Sequence, residues 1–194
     1  MKVILKTMIV TLLIVIMAST NVLYAKTSKG DPEKEALVFG CIDMSETNSI
    51  LSFVSFMRYP PELKGYSGYP RDIEVFDTYD NGLFIADRAK PGEYWLMAFY
   101  TKKYSLVRLN EEVTFHDINH KPTEDDVFTI QAGDIYYYGT YKYIEVEKAK
   151  LFSSAKFALE KVETPGEKEL LEMMLEKLKG SKWEEKIIER LATL

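Results

Sequence analysis

Nine short runs of strand-forming residues, separated by turn signals between positions 36 and 162, constrain this chain more than any other feature. They are 36–42, 50–58, 73–78, 83–86, 93–100, 105–109, 127–130, 135–146 and 156–162. Their length and their Val, Ile, Phe and Tyr content suit a pleated surface better than a helix. The turns between them have a mechanism. Asp80-Asn81-Gly82 tolerates the positive φ of a tight hairpin, and Pro91-Gly92 presets the central positions of a type II turn. The expectation is a mainly β chain, folded as an antiparallel sandwich or barrel.

After position 162 the period changes. Thr164 is placed to cap a helix, with Pro165 in its first position and Glu167 as the capping-box acid. Leu170, Leu171, Met174, Leu175 and Leu178 then share one helical face, which a strand would split. Gly180 ends that helix. Ser181 and Glu184 repeat the capping pattern, and Trp183, Ile187, Ile188, Leu191 and Leu194 form a second apolar stripe. Helices this short are unstable alone in water, so the stripes must pack on something. The chain's own sheet is the expected surface, and a partner protein is the alternative.

The first residues read as an export signal. Lys2 and Lys6 precede a run, 8–18, that is apolar apart from Thr11, and Ala25 supplies a small residue before the charged stretch 26–35. The expected organisation is a signal peptide at 1–25, a polar linker at 26–35, a β-sandwich domain at 36–162 and a helical hairpin at 163–194. Export places the mature protein in the periplasm or outside the cell. An uncleaved anchor is the alternative, because 7–25 approaches the ~20 residues that span a bilayer, although Ser19-Thr20-Asn21 is polar. Cys41 is the only cysteine, so no internal disulfide is possible and the core must hold by burial. Its apolar surroundings predict an inert, buried thiol. Lipidation at Cys41 is rejected, since the charged stretch separates it from the apolar run.

Gly82-Leu83-Phe84, followed by Pro91-Gly92-Glu93-Tyr94-Trp95-Leu96, resembles the hairpin motif of prealbumin-like sandwiches, including carboxypeptidase regulatory-like domains. The stretch from Phe128 to Gly139 is similar to a later strand pair of uncharacterised exported bacterial proteins in that group. The resemblance implies an antiparallel, prealbumin/Ig-like β-sandwich and an envelope location. It implies no catalytic residues, and the helical hairpin lies outside its pattern.

Charge removes two partner classes. The chain carries a net charge of −5, and loss of Lys2 and Lys6 with the signal makes it more acidic. Nucleic acid and anionic lipid both demand clustered Lys and Arg, whereas here these alternate with acids. Catalytic motifs are equally scarce. His116 and His120, the only histidines, could share a metal if 116–120 were helical, but Asn119, Pro122 and the acids 124–126 mark an exposed loop. Asp77, Asp80 and Asn81 lack the glutamate that completes a calcium loop, and the hairpin already explains Asn81-Gly82. Gly65-Tyr66-Ser67-Gly68 lacks the spacing of a nucleophile elbow. No metal, cofactor or catalytic residue is therefore expected.

Tyrosine is the remaining signal. Simple alternation along 135–146 sends Tyr137, Tyr141 and Tyr143 to one face and Tyr136 and Tyr138 to the other, as core or as cover under the hairpin. Tyr66 and Tyr69 stand in the long patternless stretch 60–71, where Tyr with Ser, Gly and Pro suits a recognition loop. These two are the candidate ligand-binding residues. The expected function is a noncatalytic exported cell-envelope domain that binds a protein, peptide or glycan. The alternative is a carboxylate-dependent, glycosidase-like hydrolase with two acids converging on the loops.

Overall fold

The computed structural model describes residues 30–59, 73–79, 81–105, 110–118, 122–147 and 156–194. The expected signal peptide, 1–25, and the candidate residues Tyr66 and Tyr69 lie outside the described residues. The strands are β1 (Ala36–Asp43), β2 (Ile50–Tyr59), β3 (Ile73–Thr78), β4 (Leu83–Ala89), β5 (Gly92–Ser105), β6 (Asn110–Asp117), β7 (Phe128–Ile130), β8 (Ile135–Glu147) and β9 (Lys156–Val162). Two helices follow, α1 (Glu167–Lys177) and α2 (Glu184–Leu191). The chain is mainly β, in two sheets with mostly antiparallel pairing. The strand path runs β6-β5-β2-β3-β4-β1-β8-β9, with β7 paired to β5. Between the sheets β3 pairs with β2 on one side and β4 on the other. Among the described residues no helix is long and apolar enough to cross a membrane.

One pairing departs from the expected antiparallel order. β1 runs parallel to β8 and antiparallel to β4, which leaves it central and covered on both faces. That explains its unbroken apolar run, because a strand buried on both sides has no solvent face to alternate with. Ala36, Val38 and Ile42 face the core that both sheets share, and Leu37, Phe39 and Cys41 face the helices. The Cys41 thiol is buried, and burial followed by the Asp43 charge pushes its pKa to about 12. It stays a thiol at neutral pH.

The β3–β4 hairpin forms as its turn chemistry predicts. Gly82 has φ +83°, and a Cβ there would fall 2.2 Å from the Ile42 carbonyl oxygen. Only glycine fits. Asn81 Oδ1 accepts the Leu83 N–H at 3.2 Å, which closes the turn.

The helices pack on the outer side of β1, β4 and β8. Leu170, Leu171, Met174, Leu178, Trp183 and Ile187 are buried against Leu37, Phe39, Leu83 and Ile85. At roughly 1.5–3 kcal/mol per large apolar side chain removed from water, this contact outweighs the weak intrinsic stability of such short helices. Polar contacts fix its position. The Trp183 indole N–H donates to the Asp87 carbonyl at 2.9 Å, and Thr140 Oγ1 donates to the Pro165 carbonyl at 2.5 Å. Gly30 lets the chain pass against that indole, since a Cβ would sit 2.4 Å from Trp183 Nε1.

The helix ends differ from the sequence reading. α1 starts at Glu167 with Gly166 as its cap, and Glu169 rather than Glu167 accepts the cap N–H, at 3.0 Å. Thr164 and Pro165 are not in the first turn, because the Pro165 carbonyl is held on β8 by Thr140. Glu167 instead pairs with Arg190 at 2.8 Å, tying α1 to α2. Ser181 and Glu184 do satisfy backbone groups, those of Trp183 and Gly180, but α2 begins only at Glu184. Two members of the expected second stripe face solvent, with Ile188 53% and Leu194 51% exposed.

Candidate functional site

The sequence reading placed 105–109 in a strand and 116–120 in an exposed loop. β5 instead extends to Ser105, and Asn110–Asp117 forms β6, with His116 inside it. Residues 106–109 and His120 lie outside the described residues. β6 hides in the sequence because it is the last strand of its sheet. Its sequence, NEEVTFHD, sets Val113 and Phe115 apart with a threonine and surrounds them with polar residues, so no continuous apolar run marks it.

Two extra residues decide which side chains reach the outer face of this sheet. Ser55 pairs with Ala98 and Phe56 with Leu96, so Met97 is a bulge in β5. Leu51 pairs with Thr101 and Phe53 with Tyr100, so Ser52 is a bulge in β2. Bulges reset the alternation of a strand. Leu96 and Phe99 therefore both face the core, while Tyr100 turns outward opposite Phe53 and Phe115.

The result is a row of three rings across β2, β5 and β6. Phe53 meets Tyr100 edge-on, with centroids 5.1 Å apart at 85°, and Tyr100 meets Phe115 at 5.0 Å and 54°. Phe53 and Tyr100 are half-buried. At the outer end Phe115 is 42% and Val113 is 55% exposed, and Ile118, just past the strand, is 37% exposed. β6 has β5 on one side and, among the described residues, no strand on the other. Apolar side chains on an unpaired edge invite another chain, which is why such edges usually carry Lys, Pro or a bulge. Farther along the same face Met57, Trp95, Met97 and Ala98 form a separate buried cluster, with Tyr59 against Trp95 at 6.3 Å. Ser55, also on this face, is buried, and among the described residues its Oγ has no hydrogen-bond partner.

On the inner side His116 occupies an aromatic box. Its ring stacks on Phe99 at 4.6 Å and meets Tyr143 and Phe157 edge-on at 5.3 and 5.0 Å. Nε2 lies 2.9 Å from Thr101 Oγ1. Burial lowers the imidazole's affinity for protons. The expected solvent-exposed histidine is thus a core residue. Among the described residues no group of three His, Cys, Asp or Glu side chains could hold a metal ion.

The tyrosines of β8 belong to the core as well, but their alternation is broken. Phe39 pairs with Tyr137 and Gly40 with Gly139, so Tyr138 is the extra residue. Tyr136, Tyr138 and Tyr143 all join the core shared by the sheets, and Tyr137 joins the helix-covered face. Tyr137 and Tyr143 are therefore on opposite faces, contrary to simple alternation. Tyr136 stacks on Phe128 at 4.6 Å, and Tyr138 meets Phe56 edge-on at 4.9 Å. Burial, more than any neighbouring charge, raises the pKa of Tyr136, Tyr138, Tyr141 and Tyr143. These phenols stay neutral at physiological pH and pack rather than react. Asn81 is occupied by its turn and donates from Nδ2 to Met173 Sδ at 3.1 Å.

The sequence reading missed Phe53, Tyr100, Val113 and Phe115. Alternation of Val113, Thr114 and Phe115 was a usable signal, but the orientation of Tyr100 depends on a bulge that no local pattern marks. No family model, curated protein or solved structure matches this chain.

Proposed function

We propose that this chain is a noncatalytic, exported cell-envelope domain, a β-sandwich of the prealbumin-like kind, that binds an extended segment of another polypeptide. The observation that carries this reading is the row Phe53, Tyr100 and Phe115, ending with exposed Val113 on the edge strand β6. An added strand would pair with the outer backbone of β6 and lay alternate side chains over Val113 and Phe115. The ring geometry favours polypeptide over glycan. Sugars stack on flat, open ring faces, whereas here each ring packs against its neighbour at a steep angle. Tyr66 and Tyr69 remain the second candidate in this reading, on sequence grounds, as rings in a stretch rich in Ser, Gly and Pro. Their segment connects Tyr59 of β2 to Ile73 of β3, two adjacent strands of the sheet that carries the row. Among the described residues no observation favours the carboxylate-dependent hydrolase. The resemblance of the hairpin motifs supports the sandwich type, and the order of charge, apolar run and Ala25 supports export.

Capture from envelope extract tests the reading. Wild-type protein, Val113→Ser/Phe115→Ser and Tyr66→Ser/Tyr69→Ser are immobilised in parallel. The β6 variant should lose the captured polypeptide while keeping its melting temperature, and the loop variant should weaken capture. Equal capture by wild type and the β6 variant would sink the proposal. Sequencing the N-terminus of exported material should find a start near Lys26, and an intact Met1 in a membrane fraction would replace export with anchoring.

A further inference from the structure

The strand path has two ends, β6 and β9, and among the described residues no ladder hydrogen bonds join them. Side chains bring them together instead. His116 of β6 meets Phe157 of β9 edge-on at 5.0 Å, while Phe99 of β5 and Tyr143 of β8 complete the box. Phe157 also stacks on Tyr143 at 5.9 Å and meets Phe99 edge-on at 5.4 Å. One titratable ring therefore stands at the place where the two sheets close. β9 is also held by its ladder to β8 and by Phe157 and Leu159 against the core.

We infer that His116 makes this seam sensitive to acid: a neutral imidazole keeps β9 closed against β6, and a protonated one loosens it. A charged ring needs water or a counter-ion, whereas His116 is only 5% exposed and packs among aromatic rings. From β5 it faces Phe99 and Thr101, from β8 Tyr143, and from β9 Phe157. Tyr143 is the titratable group among these, and its phenol is held neutral by burial and, secondarily, by Glu145. Glu145 itself is exposed, so water screens it from the box. On β6, Phe115 and Asp117 flank His116 in sequence, and both point to the opposite face by alternation. Stacking on Phe99 attracts a cation, but it does not replace the lost hydration.

Burial lowers the folded-state pKa of His116 below its ordinary value of 6.5. A depressed histidine contributes full stability above the unfolded pKa and loses it as pH falls from there toward the folded one. The seam should therefore weaken on the acid side of neutrality, in a window opening near 6.5.

Hydrogen exchange followed from about pH 7.5 to about pH 5 tests this, corrected for the intrinsic pH dependence of amide exchange. In the wild type, amides of β9 should lose protection by about ten-fold for each unit separating the folded and unfolded midpoints. His116→Phe keeps a ring but removes the titration, so its β9 protection should not fall with pH. Parallel loss in both proteins would overturn the inference. A variant that fails to fold leaves a second measurement, the NMR titration of the His116 ring in the wild-type protein. A midpoint below 6.5, with β9 protection falling between 6.5 and that midpoint, supports the inference, and a midpoint at or above 6.5 overturns it.

Discussion

On the outer side of β1, β4 and β8, Leu37, Phe39, Leu83 and Ile85 are sealed beneath Leu171, Met174, Trp183 and Ile187. On the outer side of β5 and β6, Phe115 and Val113 remain 42% and 55% exposed. Both faces carry large apolar side chains, so composition does not separate them. The chain's own helices do. They cover the first face because Trp183 and the Thr140–Pro165 contact anchor them there, and their buried residues all belong to that face's cluster. An apolar outer face is thus a structural layer where the chain supplies its cover and a candidate contact surface where it does not.

The contrast breaks most visibly at Trp183. Replacing it with Ala should destabilise the protein by about 3–5 kcal/mol, through the cavity under α2 and the orphaned Asp87 carbonyl. Chemical denaturation measures this, and a loss below 1 kcal/mol would mean that the helices are a loosely attached module. Leu171→Ala should cost about 2–5 kcal/mol for the same reason. Half-buried Leu175 should cost less than Leu171 in the same experiment, which tests the helix phase directly.

Ser55→Ala probes the other face. Its hydroxyl is buried without a partner among the described residues, so removing it should raise stability by about 1 kcal/mol. Calorimetry decides, and a lower melting temperature would show that the hydroxyl is satisfied in solution. The smallest effects belong to exposed apolar positions. Ile188→Ala and Phe115→Ser should each stay within about 0.5 kcal/mol of wild type. A larger loss for Phe115→Ser would make the ring row part of the core rather than a contact surface.

Most elements were legible because their signals are local. The hairpin at Gly82 follows from a backbone angle that excludes side chains, and β1 from an uninterrupted apolar run. Both helices follow from a period of 3.6, although their caps shifted, since Glu167 and Pro165 found stronger tertiary partners in Arg190 and Thr140. The contact surface was not legible in this way. Tyr66 and Tyr69 stand out in the sequence as rings in a patternless stretch, whereas Tyr100 and Phe115 lie inside strands where an aromatic residue is ordinary.

Local propensity and turn chemistry, acting over a few residues, settled by themselves that the chain is mainly β with two terminal helices, and that Cys41 is buried. Only the tertiary structure decided that β1 pairs parallel to β8, that bulges at Met97 and Tyr138 redirect the rings beyond them, and that His116 faces inward. The physical reason is register. A one-residue bulge exchanges the two faces of everything that follows, and whether it forms depends on a partner strand distant in sequence.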